Sequence, residues 1–252
     1  MPTRFKKYLS LLTGLILCTS VLAEPSRIES YSLLSRSGTY HIGVALDKQQ
    51  RNWLQEKRQI VVGTSSSDYP PFDMTASGQD YEGLTADYAG LLATALNVSI
   101  KVQRFATRDA AIEALEKGNI DLLGTSNGFE AAHPQLLLST PYAIDQPVLV
   151  TREGETRSLS EGLAGMRLSM VYHYLPLEEI KALYPKAIIQ SYPSAQNAIN
   201  AVAFDQADVF MGDTVSTHYM INKGYLKNIK MANFGKQETF GFSFAVSRNN
   251  TQ

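Results

Sequence analysis

The chain has 252 residues with 23 basic and 24 acidic side chains, which gives a formal net charge of −1. This balance excludes the strongly basic surface of a nucleic-acid-binding protein, and the length suits one large domain or two closely packed lobes. The single cysteine, Cys18, lies in the N-terminal segment and leaves the rest of the chain without a disulfide or a thiolate metal site. The histidines show no metal-binding spacing, so we expect neither a metal nor a cofactor: His41, His133, His173 and His218.

Residues 1–23 have the pattern of a cleaved secretory signal. A basic start at Arg4, Lys6 and Lys7 precedes an apolar stretch over residues 9–22, and small residues around Ala23 suit cleavage. The apolar stretch is shorter than the roughly 20 residues that a membrane-spanning helix needs. We therefore expect an exported protein that begins after Ala23.

The next segment, residues 24–57, leads into the first buried strand. It is Ser-rich and weakly patterned, and then Asp47 predicts the N-cap of a short helix over residues 48–57. A buried strand over 60–63 follows, and then Tyr69-Pro70-Pro71-Phe72. Two prolines exclude a helix or a ladder, so Tyr69 and Phe72 are expected on a rigid loop just past the strand end.

Two segments about ninety residues apart, 114–125 and 202–213, share one pattern. Each reads as the end of an amphipathic helix, a tight turn, an Asp, a short apolar strand, a Gly and a polar residue. The polar residues, Thr125 and Asp213, should lie at the carboxyl ends of buried strands, where open α/β sheets bind ligands. The repetition predicts two similar lobes that face each other across a cleft.

The remaining pattern supports an α/β sheet in each half. Helices are expected over 86–96, 108–117, 176–184 and 195–204, and strands over 98–104, 167–171, 187–192, 208–211 and 240–246. The segments 136–142 and 147–151 read as extended chain that leaves the first lobe. The strand over 240–246 is expected to return to that lobe.

Several motifs in this order and spacing resemble type II periplasmic binding proteins, which have the Venus flytrap fold. They are Tyr69-Pro70-Pro71-Phe72, Gly83-Leu84-Thr85-Ala86-Asp87-Tyr88, Ser139-Thr140-Pro141-Tyr142, Leu163-Ala164-Gly165 and Gly241-Phe242. The resemblance implies a two-lobed α/β fold over residues 58–252. Lobe 1 would span about 58–148 and 240–252, and lobe 2 about 149–235. The family's closing C-terminal helix is lacking, so an apolar groove is expected on lobe 1 where that helix packs.

A narrower resemblance is to the first flytrap domain of BvgS/EvgS-type hybrid sensor histidine kinases. It is carried by residues 47–60, Tyr81 to Tyr88, Thr107-Arg108, Asn127-Gly128, Tyr174-Leu175-Pro176 and residues 206–210. It implies a periplasmic sensing domain whose lobes close on a small polar solute, ahead of further flytrap, membrane and kinase domains. A stand-alone relative and a homodimer stay open. The alternatives are a free solute-binding protein of an ABC importer and an enzyme on the same fold.

The same resemblance implies the site residues. In amino-acid-binding relatives the position of Asp213 takes the ligand's ammonium group, Thr125 and Asn127 match carboxylate donors, and Tyr69 matches an aromatic that covers the ligand. A plain helix cap for Asp213 and a plain turn for Asn127 are the alternatives. The candidate ligand-binding residues are Tyr69, Phe72, Arg108, Thr125, Asn127, Tyr142, Tyr172, Tyr174 and Asp213. Tyr172, His173 and Tyr174 replace a small anion-binding turn of the relatives, so the cleft should be partly filled.

One departure from the family concerns Ala132, where relatives carry an arginine that clamps the α-carboxylate of the ligand. Alanine cannot do this, and His133 is mostly neutral near pH 7. Arg108 could supply the charge instead, or be a solvated arginine at a helix start. We therefore expect a small polar or anionic ligand other than an ordinary amino acid. No catalytic constellation occurs, and Glu82 and Asp87 suit helix starts better than acid catalysis, so we expect no enzyme.

Overall fold

The computed structural model describes residues 28–38, 43–75, 78–224, 226–234 and 241–250, and the predicted signal segment lies outside them. Strands and helices alternate along most of this chain, which confirms the predicted α/β class. The elements in chain order are β1 (Glu29–Leu33), α1 (Lys48–Lys57), β2 (Gln59–Ser65), β3 (Asp80–Tyr81), α2 (Leu84–Leu96), β4 (Ser99–Phe105), α3 (Arg108–Glu116), β5 (Leu122–Ser126), α4 (Gly128–Ala131), β6 (Leu136–Leu138), β7 (Pro147–Arg152), β8 (Arg167–Val171), α5 (Leu177–Leu183), β9 (Ile188–Tyr192), α6 (Ala195–Ala203), β10 (Val209–Asp213), α7 (Thr214–Lys223), β11 (Ile229–Phe234) and β12 (Ser243–Ser247).

The first sheet has the strand order β3-β1-β4-β2-β5-β12-β6. Strand β2 pairs in parallel with β4 and β5, and the returning strand β12 runs antiparallel to β5 and β6. The lead-in segment is part of this sheet, because β1 pairs with β4 and packs Tyr31 and Leu33 against Val102 and Tyr81. Strand β1 of the first lobe thus lies before residue 58, where this lobe was predicted to begin.

The second sheet has the strand order β11-β7-β10-β8-β9. Strand β8 pairs in parallel with β9 and β10, and β7 runs antiparallel to β10 and β11. Strand β7 lies between β11 and β10 and carries the buried residues Val148, Leu149 and Val150, so it is an interior strand of this sheet rather than a connection between lobes. Strand β11 is absent from the predicted elements, because its sequence, Ile-Lys-Met-Ala-Asn-Phe, gives little apolar contrast.

The two repeated segments have the same architecture. Helix α3 precedes β5 and helix α6 precedes β10, and in each case a hydroxyl caps the helix: Thr107 accepts from the Ala110 N–H at 3.1 Å, and Ser194 accepts from the Asn197 N–H at 3.0 Å. Helix α6 buries residues at helical spacing against its sheet, namely Ala195, Ala198, Ile199 and Val202. Each strand ends in the polar residue or beside it, as predicted.

One hydrophobic cluster joins the two halves of the molecule. Tyr69 and Phe72 lie on the loop after β2 of the first sheet, yet both belong to the buried cluster built mainly by the second sheet. Phe72 is fully buried and its ring centroid lies 4.2 Å from that of Phe242, close to the start of β12. The aromatic loop therefore packs into the opposite half of the protein.

Candidate ligand-binding site

Asp213 is the last residue of β10 and the N-cap of α7, and its side chain is 1% exposed. Its Oδ1 accepts a hydrogen bond from the Ser216 N–H at 2.8 Å, which bears out the capping interpretation. Its Oδ2 accepts a hydrogen bond from the Tyr69 hydroxyl at 2.7 Å. Burial raises the pKa of Asp213, while these hydrogen bonds act to lower it. Both carboxylate oxygens are thus engaged by the protein itself.

The Tyr69 hydroxyl spans the two halves of the molecule. Burial, followed by the neighbouring charge of Asp213, raises the pKa of Tyr69 well above its ordinary value. The phenol therefore stays protonated at physiological pH and can donate to Asp213. In this geometry Tyr69 takes the place at Asp213 that the family resemblance assigns to a ligand's ammonium group.

Thr125 lies one residue before the end of β5, the corresponding strand of the first sheet, and its contacts differ from those of Asp213. Its backbone has a φ of 50°, a left-handed value that is rare for a β-branched residue. Its hydroxyl lies 2.7 Å from that of Thr85, which lies 2.8 Å from the Tyr142 hydroxyl, and Tyr142 in turn accepts from the Thr125 N–H at 3.0 Å. Asp73 adjoins this network through Tyr81, and burial raises the pKa of Asp73. The polar groups at this strand end are bound to each other.

Arg108 is 2% exposed, so it is not a solvated arginine at a helix start. Its Nε donates to Glu130 Oε1 at 2.6 Å, and its Nη2 donates to the Gly124 and Thr125 carbonyls at 3.0 and 3.2 Å. Burial acts to lower the pKa of Arg108, but the carboxylate of Glu130 more than offsets this and keeps it raised. Glu130, 1% exposed, also accepts from the Asn127 N–H at 2.9 Å. The cation is neutralised within the protein.

The sequence identified Arg108 but missed Glu130. These two residues are 22 positions apart, and α4, which carries Glu130, has only four residues and no usable periodicity. A buried arginine requires a carboxylate partner, but the burial of Arg108 is known only from the structure. Asp73 and Thr85 were also missed as parts of the polar network.

Three residues with ring side chains, 172–174, follow directly after β8. The Tyr172 hydroxyl accepts a hydrogen bond from the Arg108 N–H at 2.9 Å, and its ring lies 4.9 Å from the His173 ring. Loss of solvent around the ring, followed by the charge of Arg108, lowers the pKa of His173 to about 3, so His173 is neutral. Tyr174 is fully buried and donates to Asp145 Oδ1 at 2.8 Å.

A cavity lined by described residues of both sheets measures about 10 Å³. A cavity of that size holds about one water molecule. Its lining includes four predicted site residues, Tyr69, Arg108, Thr125 and Asn127, together with Ser65, Ser67, Asp73, His173 and Phe242. His173 lines this cavity, so one of the bulky rings of residues 172–174 occupies space there, as expected.

Five predicted site residues lie outside this lining. Phe72 and Tyr174 belong to the buried core. Asp213 and Tyr172 are hydrogen-bonded to the lining residues Tyr69 and Arg108. The Tyr142 ring stacks on the Tyr88 ring with their centroids 4.8 Å apart. Loop residues carry no periodicity, so the sequence alone could not assign their direction.

The positions around the missing clamp also lie outside the lining. Ala132 is exposed at the C-terminal cap of α4. His133 lies near Glu116, with Nδ1 3.8 Å from Oε1. Neither residue therefore contacts the cavity between the sheets.

A much larger apolar groove lies on the first sheet, as the sequence predicts. It measures about 1300 Å³ and is bordered by α1, α2 and β12, with Trp53, Leu92, Leu96, Phe244 and Val246 among its lining residues. Across the described ranges no group of three acidic, histidine or cysteine residues could hold a metal ion. No helix within those ranges has the length and apolar character needed to cross a membrane.

Comparison with known proteins gives the same architecture. Residues 60–236 match the model of the bacterial extracellular solute-binding proteins, family 3. The chain is 41% identical to the virulence sensor protein BvgS of Bordetella bronchiseptica over 224 residues, and 26% identical to the sensor protein EvgS of Escherichia coli O157:H7 over 232 residues. These matches cover 89% and 92% of the chain but only 18% and 19% of the relatives, so the chain spans about a fifth of their length.

A solved structure agrees with these matches. The crystal structure of the B. pertussis BvgS periplasmic domain superposes with a TM-score of 0.75 at 40% sequence identity. The match covers 88% of this chain and 43% of that one. The two-lobed flytrap architecture and the homology to sensor periplasmic domains are therefore established for this chain.

Proposed function

The chain belongs to family 3 of the bacterial extracellular solute-binding proteins, and on this premise we propose that it is the ligand-sensing part of a BvgS-type sensor kinase. The observation that carries the proposal is its 41% identity to BvgS over 89% of the chain. The two sheets with their helices form the two lobes. A change in the separation of these lobes is the signal that passes to the rest of the sensor.

The proposed setting is the periplasm. The signal segment is removed near Ala23, and the full-length parent is anchored in the inner membrane, with further flytrap, membrane and kinase domains in the same protein. Catalysis is proposed to belong to the kinase part of that parent rather than to this chain. A second copy of the chain is a further proposed partner.

The ligand class follows from the charges in the cleft. Arg108 is neutralised by Glu130 and Ala132 carries no charge, so neither position offers the free positive charge that an α-carboxylate needs. Each charge-assisted hydrogen bond is worth about 1.5–3 kcal/mol, so losing a bidentate pair lowers affinity about a hundredfold or more. We propose a small polar or anionic solute, held by neutral donors, rather than an ordinary amino acid.

The test of this function is a chimeric sensor. Residues 24–252 replace the matching segment of BvgS, and a reporter gene follows the output of the kinase. We expect regulated output, with a set-point that moves on Asp213→Asn and not on Glu178→Gln, a matched change at an exposed residue of α5. Output equal to that of a sensor lacking the segment would contradict the proposal.

A calorimetric screen of the common amino acids is the second test. We expect no tight binding. Micromolar or tighter binding of one amino acid by the purified chain would favour a free solute-binding protein of an ABC importer instead.

A further inference from the structure

The aromatic loop, residues 68–75, is closed by one carboxylate that joins its two ends. Asp68 Oδ2 accepts a hydrogen bond from the Thr75 N–H at 2.9 Å, and Asp68 Oδ1 accepts one from the Thr75 hydroxyl at 2.8 Å. Inside the loop, the Tyr69 N–H donates to the Asp73 carbonyl and the Asp73 N–H donates to the Tyr69 carbonyl, both at 3.0 Å. Such a loop moves as a unit, so a contact to Asp68 bears on the position of Tyr69, which lines the small cavity.

Two elements of the first lobe bind this loop. The first turn of α2 donates two backbone N–H groups to the carbonyls of Pro71 and Phe72, at 3.0 and 3.2 Å. The other element is β4, where Arg104 Nη2 donates to Asp68 Oδ1 at 3.2 Å, and the two side chains are 18% and 33% exposed. An arginine side chain has many rotamers, so this second attachment is only as firm as the contacts that hold its guanidinium.

Those contacts come from β1 of the lead-in segment. Glu29 lies opposite Arg104 in the antiparallel ladder, and Tyr31 lies on the same face of the strand as Glu29. The Tyr31 ring centroid lies 5.9 Å from Arg104 Cζ, and the Tyr31 hydroxyl accepts a hydrogen bond from Arg104 Nη1 at 3.4 Å. The same hydroxyl donates to Glu29 Oε2 at 2.8 Å, and that oxygen lies 4.0 Å from Arg104 Nη1. A ring and a carboxylate of β1 therefore hold the guanidinium that reaches Asp68.

We propose that Arg104 is a positioning residue for Tyr69, and that β1 supports the candidate ligand-binding site because it orients Arg104. The match to the solute-binding family begins at residue 60, whereas the match to BvgS covers 89% of the chain and so extends upstream of residue 60. Part of the lead-in segment is therefore shared with a sensor and lies outside the family model. The support of the loop stands on the contacts of Arg104 alone, and only its part in sensing rests on the proposed function.

Hydrogen–deuterium exchange of the peptide over residues 66–75 measures how often the loop leaves its place. Arg104→Gln removes the charge that binds Asp68, and we expect this peptide to exchange about fivefold faster, as for the loss of one partly exposed ion pair. The peptide over β5 should exchange at its former rate. The matched control is Lys101→Gln, which removes a cation from the opposite face of β4 and should change neither rate.

A double-mutant cycle tests whether β1 acts through Arg104. Tyr31→Leu keeps an apolar side chain against Val102 but removes the ring beside the guanidinium, and we expect the loop peptide to exchange about twofold to threefold faster. In the Arg104→Gln background the same change should have no further effect on the loop peptide. A purely structural role of Tyr31 would give equal acceleration in both backgrounds, because packing against Val102 does not require Arg104.

Two results would overturn the proposal. One is an unchanged exchange rate of the loop peptide in Arg104→Gln, and the other is equal acceleration of the loop and β5 peptides, which would make Arg104 a general stabiliser of the lobe. Asp68→Asn removes the charge that Arg104 binds, keeps an oxygen for the Thr75 N–H, and gives the same test if Arg104→Gln fails to fold. A silent chimeric sensor whose loop peptide still responds to Arg104→Gln would refute the sensor function and leave the positioning role intact.

Discussion

The two repeated segments are alike where their strands begin and different where their strands end. Asp121 before β5 accepts a hydrogen bond from the Val61 N–H on β2, and Asp208 before β10 accepts one from the Arg167 N–H on β8, both at 2.8 Å. Each Asp also pairs with a cation: Lys57 lies 2.7 Å from Asp121, and Arg167 Nη2 lies 3.0 Å from Asp208. The same device fixes the register of neighbouring parallel strands in both lobes.

The carboxyl ends of β5 and β10 make different contacts. Thr125 turns back into its own lobe, where Thr85 and Tyr142 bind it, whereas Asp213 caps a helix and reaches Tyr69 of the opposite lobe. The two strands thus share the aspartate contacts at their start, while the contacts of Thr125 and Asp213 near their ends differ. At this edge the first lobe therefore stabilises itself, whereas the second lobe binds the first.

The largest expected effect is at the first strand end, on removing the carboxylate that neutralises Arg108. Glu130→Ala leaves a buried guanidinium without a counter-charge, and we expect a loss of about 3–5 kcal/mol in the free energy of unfolding. Urea unfolding followed by circular dichroism measures it. The control is Glu113→Ala, an exposed residue that pairs with Lys117, and we expect little change. Equal losses in the two variants would show that the Arg108–Glu130 pair does not hold this strand end.

The next largest loss in the free energy of unfolding is expected at the aspartates before β5 and β10. Asp208 contacts Arg152, Arg157 and Arg167, whereas Asp121 contacts Lys57, so Asp208→Ala should cost about 3 kcal/mol and Asp121→Ala about 1–2 kcal/mol. Hydrogen bonds from Arg167 hold the pKa of Asp208 well below its usual range. Its contribution is therefore present above about pH 4 and is lost as the pH falls further. Equal costs in urea unfolding at pH 7 would show that the two devices are equivalent.

Asp145, which interacts with the charge of Asp213 at the end of β10, should make the free energy of unfolding depend on pH. Burial, followed by the charge of Asp213, raises the pKa of Asp145 to about 7. The unfolded value is about 3.9, so the folded state holds this proton more tightly, and the contribution is complete below about pH 4 and lost as the pH rises towards 7. We expect the free energy of unfolding to fall by about 1–2 kcal/mol between pH 5 and pH 8 relative to Asp145→Asn. Parallel pH profiles for the two proteins would exclude this titration.

The smallest expected effect is at Thr125 itself. Its φ of 50° suits glycine, so Thr125→Gly relieves backbone strain while it loses the hydroxyl bonded to Thr85. These two changes oppose each other, and we expect a net change within about 1 kcal/mol. Thr125→Ala loses the hydroxyl without relieving the strain and should be the less stable of the two. The opposite order in thermal unfolding would show that strain is unimportant here.

Sequence patterns predicted the parts of this molecule that repeat. The alternation of strands and helices, the two matched segments and the returning strand follow from apolar periodicity and turn residues. The pairing of β1 with β4 and the partner of Arg108 do not, because both join residues far apart in the chain with no periodic signal. Phe72 and Tyr142 were assigned to the site and face elsewhere, since a loop residue's direction depends on tertiary packing.

The aromatic loop after β2 also bears on how the protein unfolds. Two lobes with separate cores would melt in two steps, each with its own midpoint. Tyr69 and Phe72 of the first lobe belong to the buried cluster built mainly by the second, so unfolding of either lobe disrupts this cluster. The chain should therefore behave as a single cooperative unit, with a calorimetric enthalpy equal to the van't Hoff enthalpy.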